Sequence, residues 1–343
     1  MISFFYKSKH LTLALAIGSI TLSLLFSFSL WLSYSLNQTL KLDDELLFEV
    51  TSGSNLYRVC EQFLEKELIS DCLGLRVNAK LSPNLSDIKS GMYQLLPGTS
   101  LKEALDKFNS GDVLQLPFTI VEGENYFQVL EKIRRNNYLI DDLSDKSLVE
   151  SSKLLDVPQP HPEGYLYPET YFFAVGTKAS VLLKRAVKKQ TELVNSLWQN
   201  RNKLLPLNNP YEALILASII EKESSHNVER ELVASVFYNR LKKKMRLQTD
   251  PTVIYGVWHE YNGDIKSRHL REKTPYNTYR IKGLPPTPIA NPSMSSLQAV
   301  YTPADTDYLY FVADGDGQHV FSKTLKSHNK ALKEYLRKLK ENG

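Results

Sequence analysis

The longest feature of the hydrophobic pattern is a run from Leu11 to Leu36 that contains no charged residue. At about 1.5 Å per residue it makes roughly 39 Å of helix, more than the roughly 30 Å hydrocarbon core of a bilayer requires. The run is too long for the apolar region of a cleaved secretory signal, and no Ala-x-Ala-like cleavage site follows it. Residues 11–36 are therefore expected to span a membrane. Lys7, Lys9 and His10 precede the run, whereas Asp43, Asp44 and Glu45 follow it beside Lys41. The positive-inside bias then predicts that residues 1–10 are cytoplasmic and that the rest of the chain faces outward, in a single-pass arrangement.

Beyond the anchor, the pattern over residues 47–117 reads as a small α+β module. Phe48 and Val50 alternate as in a strand, Gly53, Ser54 and Asn55 turn the chain, and Leu56, Val59, Cys60, Phe63 and Leu64 have helical spacing. A short helix is predicted near Leu73 to Leu81, a strand at Met92 to Leu96, and a helix opened by Ser100 and Glu103 as a capping box and closed by Gly111. From Phe118 the composition changes, and residues 118–343 read as a larger α+β domain. Phe127 to Ile133 has helical spacing, and Val157 to Glu163 carries three prolines before the aromatic stretch EGYLYPETYFF. A long helix is predicted from Ser180 to about Leu204, a strand at Asp307 to Ala313 that turns at Asp314 to Gly317 onto Val320 and Phe321, and an exposed helix at Glu334 to Lys340.

The centre of the chain is the stretch from Tyr211 to Tyr255. An apolar helix from Glu212 to Ile220 runs into Glu221, Lys222, Glu223 and Ser224. On a helix, Glu223 shares a face with Ile220, Ile219 and Leu216, so its carboxyl continues the core-facing stripe. A carboxyl against apolar side chains loses hydration of its charged form and its pKa rises, which suits a general acid. Glu221 looks back at Ala217 and Ser218, a smaller and less apolar wall, and is the second candidate. A second amphipathic helix carries Leu232, Val233, Val236, Phe237 and Leu241, and Arg246 to Pro251 follow it. The segments 274–279 and 283–288 form polar, proline-rich loops suited to positioning ligand groups.

LASIIEKES, VFYNRL, MRLQTDPTVIYG, TPYNTY, GLPPTPIANP and DYLYFVADGDGQHVFSKTLKSHN occur in this order. Together they resemble the YceG-like endolytic murein transglycosylases of bacterial inner membranes, and the resemblance runs from the anchor to the C-terminus. It implies an inner-membrane enzyme with a periplasmic catalytic domain that cuts nascent peptidoglycan strands between N-acetylmuramic acid and N-acetylglucosamine, leaving 1,6-anhydro ends, beside the peptidoglycan synthases as partners. FEVTSGSNLYRV also looks like the opening of a LysM module, with Phe48, Val50, Gly53 and Leu56 at matching places. A plain spacer above the membrane is the alternative reading of that module.

In lytic transglycosylases more broadly, the catalytic acid is the Glu of a Glu-Ser pair, followed by a Gln-bearing loop and a Tyr/Asn element. Glu223 with Ser224, Gln248, and Tyr276 with Asn277 are similar in kind and order. By that likeness Ser224 and Gln248 orient and hydrogen-bond, and Tyr276 and Asn277 hold substrate. Glu163, where the family carries an acid beside the cleft, is expected to bind substrate or to orient Glu223. One carboxyl suffices, because the substrate's own C6 hydroxyl attacks C1 intramolecularly. A muramidase-type hydrolase would need a second carboxylate, for which Glu163 and Asp250 are the candidates. A non-catalytic scaffold that binds glycan and synthase is the other alternative.

Composition narrows the field further. With 42% apolar and 23% charged residues the chain has an ordinary globular composition, and its formal charge of +4 offers no concentrated basic face for nucleic acid. No Cys/His cluster of metal-ligand spacing is present, so neither a metal nor another cofactor is expected. An oxidising compartment would permit Cys60 and Cys72 to form a disulfide.

Overall fold

A computed structural model of the chain describes residues 2–82, 86–224 and 227–342. Its helices and small two-stranded sheets form two compact units, Met1–Leu116 and Pro117–Gly343.

The first unit comprises α1 (Ile2–Asn37), β1 (Leu46–Val50), α2 (Leu56–Glu65), α3 (Leu73–Leu81), β2 (Gly91–Leu95) and α4 (Leu101–Ser110). Within α1, Leu15–Asn37 is long and apolar enough to cross a membrane, and its large hydrophobic side chains from Leu15 to Trp31 stand exposed. The C-terminal end of α1 docks on α3: Asn78 Nδ2 donates to Leu32 O and Ser35 Oγ, both at 3.1 Å, and Gly74 faces Ser35 with no room for a Cβ. β1 and β2 pair antiparallel, with Leu46 opposite Leu95 and Val50 opposite Gly91. Alternation sends Phe48, Val50, Tyr93 and Leu95 inward, onto the buried faces of α2 and α4. There Phe108 is ringed by aromatics, 4.6 Å from Tyr93, 5.5 Å from Phe48 and 6.0 Å from Phe63 between ring centroids. The Ser100–Glu103 capping box opens α4, and Gly111 closes it at φ 74°, as the sequence predicts. Cys60 and Cys72 are joined, Cα to Cα 6.1 Å, tying α2 to the N-cap of α3. Leu64 departs from expectation: it lies one position past the buried stripe and is 37% exposed.

The second unit begins within β3 (Gln115–Thr119) and continues through α5 (Tyr126–Arg134), β4 (Leu139–Ile140), α6 (Leu148–Leu154), β5 (Thr170–Ala174), β6 (Thr177–Lys178) and α7 (Ala179–Gln199). There follow α8 (Pro210–Glu223), α9 (Arg230–Lys242), α10 (Asp250–Gly256), α11 (Ser267–Arg271), α12 (Met294–Tyr301), β7 (Tyr310–Ala313), β8 (His319–Ser322) and α13 (Leu325–Asn342). β3 pairs with β5, β4 runs parallel to β6, and β7 and β8 form a hairpin whose turn is closed by Asp314 accepting from the backbone N–H groups of Asp316 and Gln318. The organising element is α8. Asn209 caps it, Pro210 starts it, and every residue from Ala213 to Ile220 is buried, with α7, α9, α10 and α12 packed around it.

Two elements differ from the sequence pattern. The long helix α7 ends at Gln199 rather than near Leu204, whose side chain is 86% exposed and has no core to face. The second central helix, α9, is not amphipathic in place: Val233 to Tyr238 are all buried, because α8, α12 and β7 enclose it.

The aromatic cluster of the first unit sets a stability test. Phe108→Ala is expected to cost about 3–5 kcal/mol, read as a lowered denaturant midpoint for the first unit in unfolding of the full chain.

Candidate active site

The burial of α8 brings its last turn out of the core with two carboxyls on it. Glu221 is pinned: it accepts from Arg230 Nη2 at 3.2 Å, from Ser293 N at 2.8 Å and from the Ser293 hydroxyl, and the Arg230 and Glu221 side chains are only 5% and 6% exposed. This ion pair joins the C-terminus of α8 to the starts of α9 and α12. It also offsets the unfavourable placing of an anion at a helix C-terminus. Glu223, two residues on, is half-buried over Ile219, Ile220 and Leu216, all three without solvent exposure. One carboxyl oxygen accepts from the Thr249 hydroxyl, and the other makes no hydrogen bond among the described residues.

These surroundings decide the protonation of Glu223. Burial raises its pKa well above the usual carboxylate range, Asp250 adds to the rise, and Thr249, His319 and Arg240 offset part of it. A raised pKa combined with accessible surface is what proton donation to a ligand requires.

The loop before α10 supplies the partner. Gln248 stands exposed with a left-handed backbone, φ 51°, and its N–H donates to Thr278 O at 3.3 Å. That turn aims Thr249 inward, where its N–H donates to Thr278 Oγ1 at 3.0 Å and its carbonyl accepts from Thr252 Oγ1 at 2.7 Å. Thr252 and Thr278 are themselves joined at 2.8 Å. Buried Arg240 braces the same loop by donating to Leu247 O and Leu309 O, both at 2.6 Å. At the mouth, Tyr279 donates to Asp250 Oδ1 at 2.7 Å.

The other expected site residues divide between the surface and the interior. Ser224 is 2% exposed as the C-cap of α8, and its carbonyl accepts from Arg230 Nε at 3.4 Å. Tyr276 is half-buried, its hydroxyl 2.9 Å from Thr287 Oγ1 and its ring 4.9 Å from that of Tyr255. Asn277, expected to hold substrate, has no exposed surface. Its Nδ2 donates to the carbonyls of His269, Leu270 and Glu272 and its Oδ1 accepts from Tyr279 N, so it ties its own loop together.

Glu163 is likewise enclosed, which leaves no surface for direct substrate binding. It accepts from Tyr126 N at 3.0 and 3.1 Å, from Gly164 N at 3.2 Å and from the Tyr255 hydroxyl at 2.9 Å. It sits at the N-terminus of α5, where a carboxylate is favoured. Burial nevertheless raises its pKa to about 7 against those hydrogen bonds. Thr249, Thr278, Arg230 and Arg240 were not singled out from sequence. The two arginines on the apolar face of α9 were the available signal, since buried charge calls for a partner.

Two outcomes follow. Thr249→Val removes a hydrogen bond that lowers the Glu223 pKa, so the alkaline limb of the kcat/KM profile moves to higher pH and activity falls about ten- to hundredfold. For Glu163, the folded state holds its proton up to about pH 7 whereas the reference carboxyl releases it near 4.5. The resulting stability is present below the lower value and is lost as pH rises through the upper one, an effect of about 3 kcal/mol. Glu163→Gln should flatten this part of the stability–pH curve, measured by chemical unfolding between the two values.

With this geometry in place, comparison with known proteins is informative. The YceG-like family model matches residues 48–334. A protein of Bacillus subtilis named endolytic murein transglycosylase is 34% identical over 84% of this chain and 84% of its own length. One of Streptococcus pneumoniae with the same name is 27% identical over 84% of this chain, which spans 58% of that longer protein. The crystal structure of a YceG-like protein from Listeria monocytogenes superposes with a TM-score of 0.54 at 31% identity, covering 84% of this chain and 99% of that one. The family match over residues 48–334, with a relative 34% identical over 84% of both chains, establishes that this chain belongs to the YceG-like family.

Proposed function

We propose that this chain is a membrane-anchored lytic transglycosylase of peptidoglycan, with Glu223 as its acid and base. The observation that carries the reading is the state of Glu223: a carboxyl biased toward its protonated form by burial, held by the Thr249 hydroxyl, and still partly accessible. In the first half of the reaction Glu223 gives its proton to the glycosidic oxygen as the C1–O bond breaks. In the second, the substrate's C6 hydroxyl attacks C1 and its proton returns to the Glu223 carboxylate, closing the 1,6-anhydro ring. No water is consumed and the enzyme is regenerated.

Gln248 reaches the bound sugar from an exposed turn next to Thr249, and Tyr276 supplies an aromatic face beside it. Ser224, Asn277 and Glu163 serve by holding the walls in register. Residues 15–37 anchor the enzyme in the cytoplasmic membrane with the catalytic unit outside, a location in keeping with the Cys60–Cys72 disulfide. Residues 47–117 act as a LysM-like module that leans on glycan strands, and cleavage falls within strands near the membrane, beside the synthases.

Glu223→Gln in the full-length protein is expected to lower release of anhydro-muropeptides from purified murein by roughly three orders of magnitude. Native release by that variant would refute the assignment. Mass spectrometry of the wild-type products tests the reaction class, since a reducing end in place of an anhydro end would mean hydrolysis, with Asp250 as the second carboxylate.

A further inference from the structure

The second unit contains a cavity of about 230 Å³ remote from Glu223, between the 158–165 loop, the middle of α7 and the start of α8. We infer that this cavity is a distal subsite for one neutral N-acetylated sugar of a bound glycan strand. The inference rests on the proposed function, and names a place on the enzyme that the chemistry at Glu223 does not use.

Three observations carry it. The first is shape: the rings of Tyr165 and Tyr211 lie parallel, 14° apart in plane with centroids at 6.1 Å, and both line the cavity. Tyr165 is only 5% exposed and backs Tyr211, so the half-buried Tyr211 ring is the one that can meet the flat apolar face of a pyranose. The volume lies below the roughly 300 Å³ at which pockets for drug-sized ligands begin, so it admits a single ring.

The second is unused polarity. Thr191 Oγ1 is buried at the wall with no hydrogen-bond partner. The side-chain amides of Gln159 and Asn195 and the hydroxyls of Tyr165 and Tyr211 also make no hydrogen bond among the described residues, although each residue lines the cavity. Buried polar atoms ordinarily find partners, and Thr191 Oγ1 is the buried one here, whereas Asn195 is exposed and Gln159 and Tyr211 are half-buried. An N-acetyl group with adjacent hydroxyls offers donors and acceptors that these groups can use. No lining residue carries a charge, which disfavours a phosphate or the carboxylates of a peptide stem.

The third is position. Tyr211 and Glu223 stand near opposite ends of α8, about 18 Å apart along its axis. A strand lying over the unit can thus reach both, several sugars apart.

The test uses the full chain in detergent, with Glu223→Gln to prevent turnover, titrated calorimetrically with uncrosslinked murein strands and with the tetramer of N-acetylglucosamine. Tyr211→Ala is expected to weaken binding of the strands about tenfold, and saturation-transfer NMR should show N-acetyl methyl contact that this variant loses. The pair Gln159→Ala with Asn195→Ala breaks no internal hydrogen bond, and should weaken binding in the same direction if Tyr211→Ala does not fold. Unchanged affinity in the folded variants, or no measurable binding to the Glu223→Gln protein, overturns the subsite. Should wild-type enzyme release anhydro ends while the cavity variants bind normally, the subsite alone fails. A wild type that releases none would instead defeat the proposed function.

Discussion

A helix buried on every side must still end somewhere, and in this protein that end carries two carboxyls, Glu221 and Glu223. α8 is apolar all round because α7, α9, α10 and α12 enclose it, and the apolar wall stops only at Glu221 and Glu223. The packing that stabilises the second unit is therefore also what desolvates the carboxyl of Glu223. Stability and pKa arise from one contact surface.

Two carboxyls on the same turn have different partners. Glu221 meets a guanidinium and a serine and is held inside as half of an ion pair, where losing either partner would leave an uncompensated buried charge. Glu223 meets one neutral hydroxyl and a hydrocarbon wall, so nothing compensates its ionisation fully. The ion pair fixes the direction in which α8 emerges, and that direction sets what Glu223 can reach. An ion-paired carboxyl and one whose pKa is raised by burial thus sit two residues apart.

The loops around the acid are rigid for reasons of hydrogen bonding. The threonines at 249, 252 and 278 satisfy one another, Arg240 gathers the carbonyls of Leu247 and Leu309, and Asn277 gathers three more from its own loop. Backbone carbonyls that cannot reach water must be met by side chains, and here those side chains belong to the segments that frame the site. Glu163 meets donors instead, accepting from Tyr126 N and the Tyr255 hydroxyl, and so joins α5 to Tyr255 and, through ring contact, to Tyr276.

The sequence by itself determined the elements whose signals are local. The uncharged run became α1, the Ser100–Glu103 box and Gly111 bounded α4, and the stripe Leu216, Ile219, Ile220, Glu223 placed that acid against the core, since helical spacing is a property of neighbouring residues. Only the tertiary structure decided which polar residues face a ligand. Asn277 and Glu163 read as site residues by type and order, yet the fold encloses both, because their partners lie on other segments. Thr249, one position past the residue that spacing had marked, became the partner of Glu223 because the left-handed turn at Gln248 rotates it inward. α9 is buried all round from Val233 to Tyr238 for the same reason, since burial depends on what packs against a helix from elsewhere in the chain.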